Sequence, residues 1–283
     1  MAKVKMTYTN VNGNTIIMGP FAPFRLMDYS GFGLPENNIS SEKVFGMDGE
    51  QKIHSSLSYR DLEIEVLVQG TSFEERESFK HNLMSAFNPK LSGTLKWEVL
   101  NTAYEIDVEV LKGFDPKYQK GTIQLRALDP YWRDVSNIDY TVQLGQITNL
   151  FVWPLIITPE YEFATVDSGK EIEITNQGDV AIGMEINIKC IAEVINPRFI
   201  NLYSQEFFSF NHTFKAGDVI YINTNHGKKQ VLVNGENGFS MRKLGSTFLQ
   251  IDNQATNYFK LEADDGIENM IADMKYNPLL VGV

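Results

Sequence analysis

The 283-residue chain has one cysteine, Cys190, so no intramolecular disulfide can hold it together. That usage fits folding in a reducing compartment. A chain of this length can bury a working core without disulfides or metals. Cys190 stands in Met184-Glu-Ile-Asn-Ile-Lys-Cys-Ile191, which has the alternation of a strand, and a thiol there reads as core material rather than a nucleophile. Long hydrophobic runs are also missing. The longest near the middle, Leu150-Phe-Val-Trp-Pro-Leu-Ile-Ile157, is broken by Pro154 and falls well short of the ~18 residues of a membrane span. Met1-Ala-Lys-Val-Lys-Met-Thr-Tyr8 lacks the apolar stretch of a secretory signal.

Histidine is scarce. His54, His81, His212 and His226 are the only four, and none stands at ligand spacing with another. Gly31-Phe-Gly33 has no downstream Gly or Lys-Ser to complete a phosphate loop and reads as a turn. No Gly-x-Ser-x-Gly elbow occurs. Glu105 and Asp107 lie on the outward face of a strand, whereas glycosidase chemistry needs two carboxylates facing each other across a cleft. Asp264-Asp265-Gly266 lacks the rest of a calcium loop and reads as a turn. Positive charge is sparse as well. The net charge is −11 and no basic run exceeds a pair such as Lys228-Lys229, which disfavours sequence-independent nucleic-acid binding. These absences lead us to expect no enzyme, no catalytic, cofactor or metal site and no membrane partner.

What is present is β-rich. Leu62, Ile64, Val66 and Val68 alternate with polar residues, as do Leu95, Trp97 and Val99, then Tyr104, Ile106, Val108 and Val110, then Ile123, Leu125 and Ala127. The middle two runs, joined by Leu100-Asn-Thr-Ala103, predict a hairpin. One helix is predicted over residues 73 to 87. Ser72 and Glu75 have capping-box spacing, Glu74, Glu75 and Glu77 sit where the helix dipole favours negative charge, and Asn88-Pro89 stops it. Its stripe of Phe79, Leu83, Met84, Ala86 and Phe87 predicts packing on the sheet.

The second half is almost purely β. Met184, Ile186 and Ile188 alternate with polar residues, and Val219–Ile222 and Gln230–Val233 flank a glycine-bearing loop. Asn234-Gly235 and Asn237-Gly238 are turn signals, and Phe248–Ile251 and Tyr258–Glu262 read as short strands. Strands at this spacing predict a sandwich. The division we expect is an N-terminal domain over 1–135, an extended linker over 136–155 and a C-terminal β-sandwich over 156–283.

Certain segments stand in a telling order. Gly46-Met-Asp-Gly49 is followed by Tyr59-Arg-Asp-Leu-Glu-Ile64, the capped helix with Leu83 and Asn88-Pro89, Gly93-Thr-Leu95 and Leu128-Asp-Pro-Tyr-Trp-Arg-Asp134. Later come Asn176-Gln-Gly-Asp179, Asn196-Pro197, Phe208-Ser-Phe-Asn-His212, Ala216-Gly-Asp-Val-Ile220, Lys228-Lys-Gln-Val-Leu-Val-Asn-Gly235, Ser246-Thr-Phe248 and Tyr276-Asn-Pro-Leu-Leu-Val-Gly282. This succession, over residues 25 to 283, resembles the distal tail proteins of siphophages that infect Gram-positive bacteria and of related prophage elements.

The resemblance implies a mainly β chain: a β-rich, ring-forming N-terminal domain with one helix, and a galectin-like C-terminal sandwich. It implies a homohexameric ring at the tail tip or baseplate of a virion, built in the host bacterial cytoplasm. The ring would dock the tail tube protein on one face and the tail-associated hub or lysin on the other, with receptor-binding and tape measure proteins as further partners. DNA would pass through its channel without specific binding, repelled if some of the negative charge lines the wall. The alternative function is a carbohydrate-binding adhesin for host cell-wall polysaccharide. Asn196-Pro-Arg-Phe199 matches part of the galectin sugar motif, but Val194 stands where galectins place a histidine, and Trp97, Trp132 and Trp153 all lie upstream of where a stacking tryptophan belongs. Tyr131 and Trp132 read as a core edge or, preferentially, a subunit interface.

Overall fold

The computed structural model describes residues 4–46, 48–135, 141–149, 164–169 and 171–283. The chain forms two compact units, Met1–Ser136 together with Leu279–Val283, and Asn137–Pro278. The Leu150–Ile157 run lies outside the described residues, whereas Thr141–Asn149, inside the expected linker, forms a strand.

The first unit contains β1 (Val4–Asn10), β2 (Thr15–Met18), β3 (Phe24–Ser30), β4 (Asn37–Glu42), β5 (Gln51–Leu57), β6 (Arg60–Val68), α1 (Phe73–Ala86), β7 (Ser92–Val99), β8 (Thr102–Lys117), β9 (Lys120–Ala127) and β10 (Trp132–Asp134). Its main antiparallel sheet runs β2-β1-β7-β8-β9-β6-β3. Gly19 joins the two edges at one corner, donating to the Phe24 carbonyl and accepting from the Leu26 amide, so the sheet curls toward a barrel. The alternation read from the sequence sets its inside. Leu62, Ile64, Val66 and Val68 point inward beside Leu95, Ile106, Val108, Ile123 and Leu125. The outward face carries cross-strand ion pairs, Arg126–Asp61 at 2.7 Å, Lys120–Glu65 at 2.6 Å and Arg133–Asp107 at 2.7 Å. Exposed pairs of this kind contribute little stability each, but they balance the charge of the face. The unit as a whole nevertheless keeps a small negative excess, 15 Lys and Arg against 18 Asp and Glu, so most of the net −11 resides in the second unit.

Helix α1 forms where expected. Ser72 caps it, its hydroxyl accepting from the Glu75 amide at 3.0 Å. The Glu75 carboxylate accepts from the amide and hydroxyl of Thr71, both at 2.6 Å, and these bonds, with a further one from the Ser72 amide, hold its carboxyl below the usual range. Leu83 and Ala86 are buried, and Phe87 stacks on Tyr8 with ring centroids 4.1 Å apart. Met84 instead stays exposed, because the helix meets the sheet along one narrow line and Met84 sits about 100° around from Leu83.

The side chain of Arg60 organises one end of the barrel. Arg60 is buried, and its donors reach four main-chain carbonyls. Nε reaches Pro130 at 3.1 Å, Nη1 reaches Gly31 at 2.7 Å and also Gly33, and Nη2 reaches Val281. Among the described residues no carboxylate pairs with it, and burial lowers the guanidinium pKa from its usual value. Gly31 has φ +87°, and a Cβ there would meet the Asp61 carbonyl oxygen at 2.0 Å, so only glycine fits the turn. The tail delivers Val281 through β24 (Leu279–Leu280), which pairs with β10 as Trp132↔Leu280 and Arg133↔Leu279. Trp132, expected at an interface, is instead fully buried in its own unit, 5.3 Å from Phe32 and 6.3 Å from Trp97. The returning tail and the Arg60 cluster close over it.

The second unit contains β11 (Thr141–Asn149), β12 (Ala164–Ser168), β13 (Glu171–Ile174), β14 (Glu185–Cys190), β15 (Val194–Ile195), β16 (Arg198–Asn201), β17 (Phe207–Ser209), β18 (Thr213–Phe214), β19 (Val219–Asn223), β20 (Gln230–Val233), β21 (Glu236–Asn237), β22 (Asn257–Glu262) and β23 (Met270–Lys275). Its two larger sheets run β12-β11-β23-β14-β19-β20-β21 and β13-β22-β16-β17. The chain is thus mainly β. Phe248–Ile251 is not a strand. Only Ile251 bridges to Ile182, and the Asn257 side chain holds the following turn by accepting from the Asp252 amide and donating to its carbonyl. Leu249 and Ile251 are nonetheless buried, so the apolar pattern there reports core contact without a ladder.

Two predictions follow from these interiors. Arg60→Met leaves four carbonyls without their donor and should destabilise the first unit by about 3 kcal/mol or more, read by urea unfolding; a loss under about 1 kcal/mol contradicts the clamp. The Tyr8 hydroxyl, by contrast, is buried without a hydrogen-bond partner among the described residues, and burial, then the charge of Glu109, pushes its pKa to about 12. Tyr8→Phe should therefore change stability by less than about 1 kcal/mol at neutral pH. Because the fold holds this phenol protonated beyond its ordinary value of 10.0, its contribution is complete below that pH and is lost as the pH rises toward about 12. The phenylalanine variant should lose less stability over that alkaline interval, and an unchanged alkaline slope contradicts the assignment.

Candidate docking surfaces

The side chains capable of chemistry are scattered. His54, His81, His212 and His226 are all exposed, and the described residues contain no group of three or more His, Cys, Asp or Glu placed to hold a metal. Burial, then the charge of Asp218, pushes the Cys190 thiol up to about 11, so it stays protonated at neutral pH. In Asp264-Asp265-Gly266, Gly266 has φ +76° and its amide donates to Asp265 Oδ1 at 3.0 Å, while Asp265 bridges to Ile195. Glu105 and Asp107 lie outward on β8, and Asp107 is engaged by Arg133.

The galectin-like segment is locked into its own unit. Asn196 has φ +49° and donates to Asp264 Oδ2 at 2.9 Å. Arg198 donates from Nε to Glu262 Oε2 at 2.9 Å, and Phe199 is buried in a 5.1 Å stack on Phe259. Val194 is itself buried. Lys260, then Arg198, holds the Glu262 carboxyl below its usual range. The donors a sugar would need are thus engaged in internal pairs.

The features that stand out are surfaces. β4 and β5 form a two-stranded arm, paired from Asn37↔Leu57 to Glu42↔Gln51. Every residue of β4 is exposed, and in β5 only Ser55 and Leu57 are partly covered. The arm joins the barrel at its root, where the Ser58 amide donates to the Glu36 carbonyl at 2.8 Å. Ile39 and Ile53 are exposed along it, and Phe45 at its tip is fully exposed at 104%. An isolated two-stranded ribbon is marginal in water, and an uncovered apolar tip adds no stability to it.

A groove lies at the β8–β9 turn, a cavity of about 730 Å³ lined by Leu67, Lys112, Lys117, Tyr118 and Lys120 among others. Tyr118 stands at its rim with φ +64° and 88% exposure. Lys112 pairs with Asp115 at 2.7 Å and Lys120 with Glu65 at 2.6 Å, while Lys117 has no ion-pair partner among the described residues.

Sequence reasoning found neither surface. The arm is built of Asn, Ser, Glu, Lys and only a few apolar residues, too few for period two to register, and the groove comes from bulges late in β8. The usable signal was the close pair Gly46 and Gly49, both at positive φ in the loop that turns the arm.

Two family models match. Residues 12–144 match the phage tail protein RIFT-related domain, and residues 177–278 match the C-terminal domain of the siphovirus-type tail component. Among solved structures, the chain is similar to the SPP1 Dit protein, described as a paradigm of the hub adsorption apparatus in Gram-positive infecting phages. The TM-score is 0.65 at 12% identity, over 97% of this chain and 98% of that one. It is also similar to a chain of the phage P2 baseplate in its activated conformation with calcium, with a TM-score of 0.54 at 13% identity over the whole of both chains. No curated protein matches.

If the arm is as unsupported as its exposure indicates, trypsin acting on dilute, unassembled protein should cut first after Lys43 and Lys52, as read by mass spectrometry. First cuts within β6 to β9 would contradict that reading.

Proposed function

The chain belongs to the siphophage distal tail protein family, and from that membership we propose that it is the structural hub of a tail tip, closing as six copies into a ring between the tail tube and the adsorption proteins. The observation that carries the ring is the β4–β5 arm, a ribbon projecting from the barrel without cover from its own chain. Covering such a ribbon with a second copy removes apolar surface from water and completes an otherwise marginal element. When the contact joins unlike surfaces, repetition around an axis closes a ring.

On this reading the protein is a virion component whose output is geometric rather than catalytic. The first unit builds the ring. The second, a galectin-like sandwich, offers outer surface to partners such as receptor-binding proteins, while the two faces of the ring meet the tail tube protein and the tail-associated hub or lysin, with the tape measure protein as a further neighbour. The first unit carries 15 Lys and Arg against 18 Asp and Glu, so a wall built from it keeps a small negative excess, which repels phosphate and suits DNA that slides without being held.

The test is solution mass. At micromolar concentration the protein should sediment near six times its 32.1 kDa subunit mass. A variant in which residues 37–57 are replaced by a short Gly-Ser link should run as a monomer with the thermal unfolding of the barrel preserved. Hexamers formed equally well without the arm would overturn the role given to it, and a strictly monomeric wild-type chain would overturn the ring.

A further inference from the structure

We propose that the arm of one copy seats its Phe45 tip in the β8–β9 groove of the next copy, an inference that rests on the ring reading above and names the surface that completes it. The two features lie at opposite ends of one strand. The arm returns to the barrel at Ser58 and hands over to β6 at Arg60, which pairs with Ala127, whereas the groove lies at Leu67, which pairs with Lys120. Seven residue steps of extended chain separate these ends by about 23 Å. Phe45 is fully exposed, so the tip does not occupy the groove of its own chain. A projection at one end of a subunit and a recess at the other is the arrangement that generates head-to-tail assembly.

The chemistry of the two surfaces is complementary. The arm carries Glu42, Asp48 and Glu50 against Lys43 and Lys52, an excess of one negative charge. The groove carries Lys112, Lys117 and Lys120 against Glu65 and Asp115, an excess of one positive charge, and Lys117 is the member with no ion-pair partner among the described residues. Between the charges each side is apolar. Val44 and Phe45 on the arm face Leu67 and Tyr118 in the groove, and both aromatic rings are exposed in the single chain. An aromatic anchor entering a recess, rimmed by opposite charges, is the composition in which interface energy concentrates. The calcium-like turn, the galectin-like segment and the Cys190 thiol offer no comparable pairing, since the partners of each lie within its own unit.

The test uses the full chain, whose single native cysteine is buried. One preparation carries Val44→Cys and a second carries Gln119→Cys, so that a disulfide between them must join two copies. On mixing and mild oxidation, this pair should cross-link at least ten-fold faster than a control pair of Val44→Cys with Val11→Cys, a position 65% exposed on the β1–β2 turn. Adding Phe45→Ala to the arm partner should abolish the difference, and Lys117→Glu in the groove partner should slow the reaction. Cross-linking no faster than the control overturns the proposal. The mass of the unmodified protein, measured in the same buffer, separates the two readings: an oligomer that fails to give this cross-link removes the seat and leaves the ring, while a monomer removes the ring.

Discussion

The guanidinium of Arg60 is the interaction on which the rest of the first unit depends. A buried cation without a counter-ion is costly unless its donors are all engaged, and here the donors are spent on carbonyls from three separate stretches of chain. Gly31 and Gly33 lie where the chain leaves β3 for the arm. Pro130 lies where it leaves the barrel for β10. Val281 belongs to the tail that returns after the second unit. One side chain therefore fixes the root of the projecting arm, the lid over Trp132 and the position of the C-terminus. Because Arg60 is also the first residue of β6, its placement follows from the same ladder that orders the core.

From this clamp the functional geometry follows in steps. The arm needs a rigid root, since a ribbon with no packing of its own can be aimed only from its base. The barrel supplies that rigidity and, at the far end of β6, a recess whose charge and apolar content suit the arm of a neighbour. The second unit holds most of the negative charge.

Much of this was legible in the sequence, for a plain reason. Period-two alternation in Leu62–Val68 and Tyr104–Val110, and the Ser72 cap, are local signals of burial and hydrogen bonding, and the chain obeys them. The family resemblance was carried by the order of short segments along the chain, from Gly46-Met-Asp-Gly49 to Tyr276-Asn-Pro-Leu-Leu-Val-Gly282. Three things were not legible. Trp132 was assigned to an interface because an aromatic beside a proline says nothing about a tail that arrives some 150 residues later to cover it. Phe248–Ile251 has strand composition, but no partner edge remains for it to pair with, and only Ile251 makes a bridge. The arm escaped notice because a ribbon that does not pack on its own core has no reason to alternate against it. Long-range partners, within the chain or beyond it, are what local pattern cannot encode.

The most direct measurement of the central claim is electron microscopy of the purified full-length protein at micromolar concentration, with class averages sorted by symmetry. The account predicts closed rings of six copies around a hole. Particles that remain single subunits across that range, or that join into open filaments with no closed ring, would contradict it.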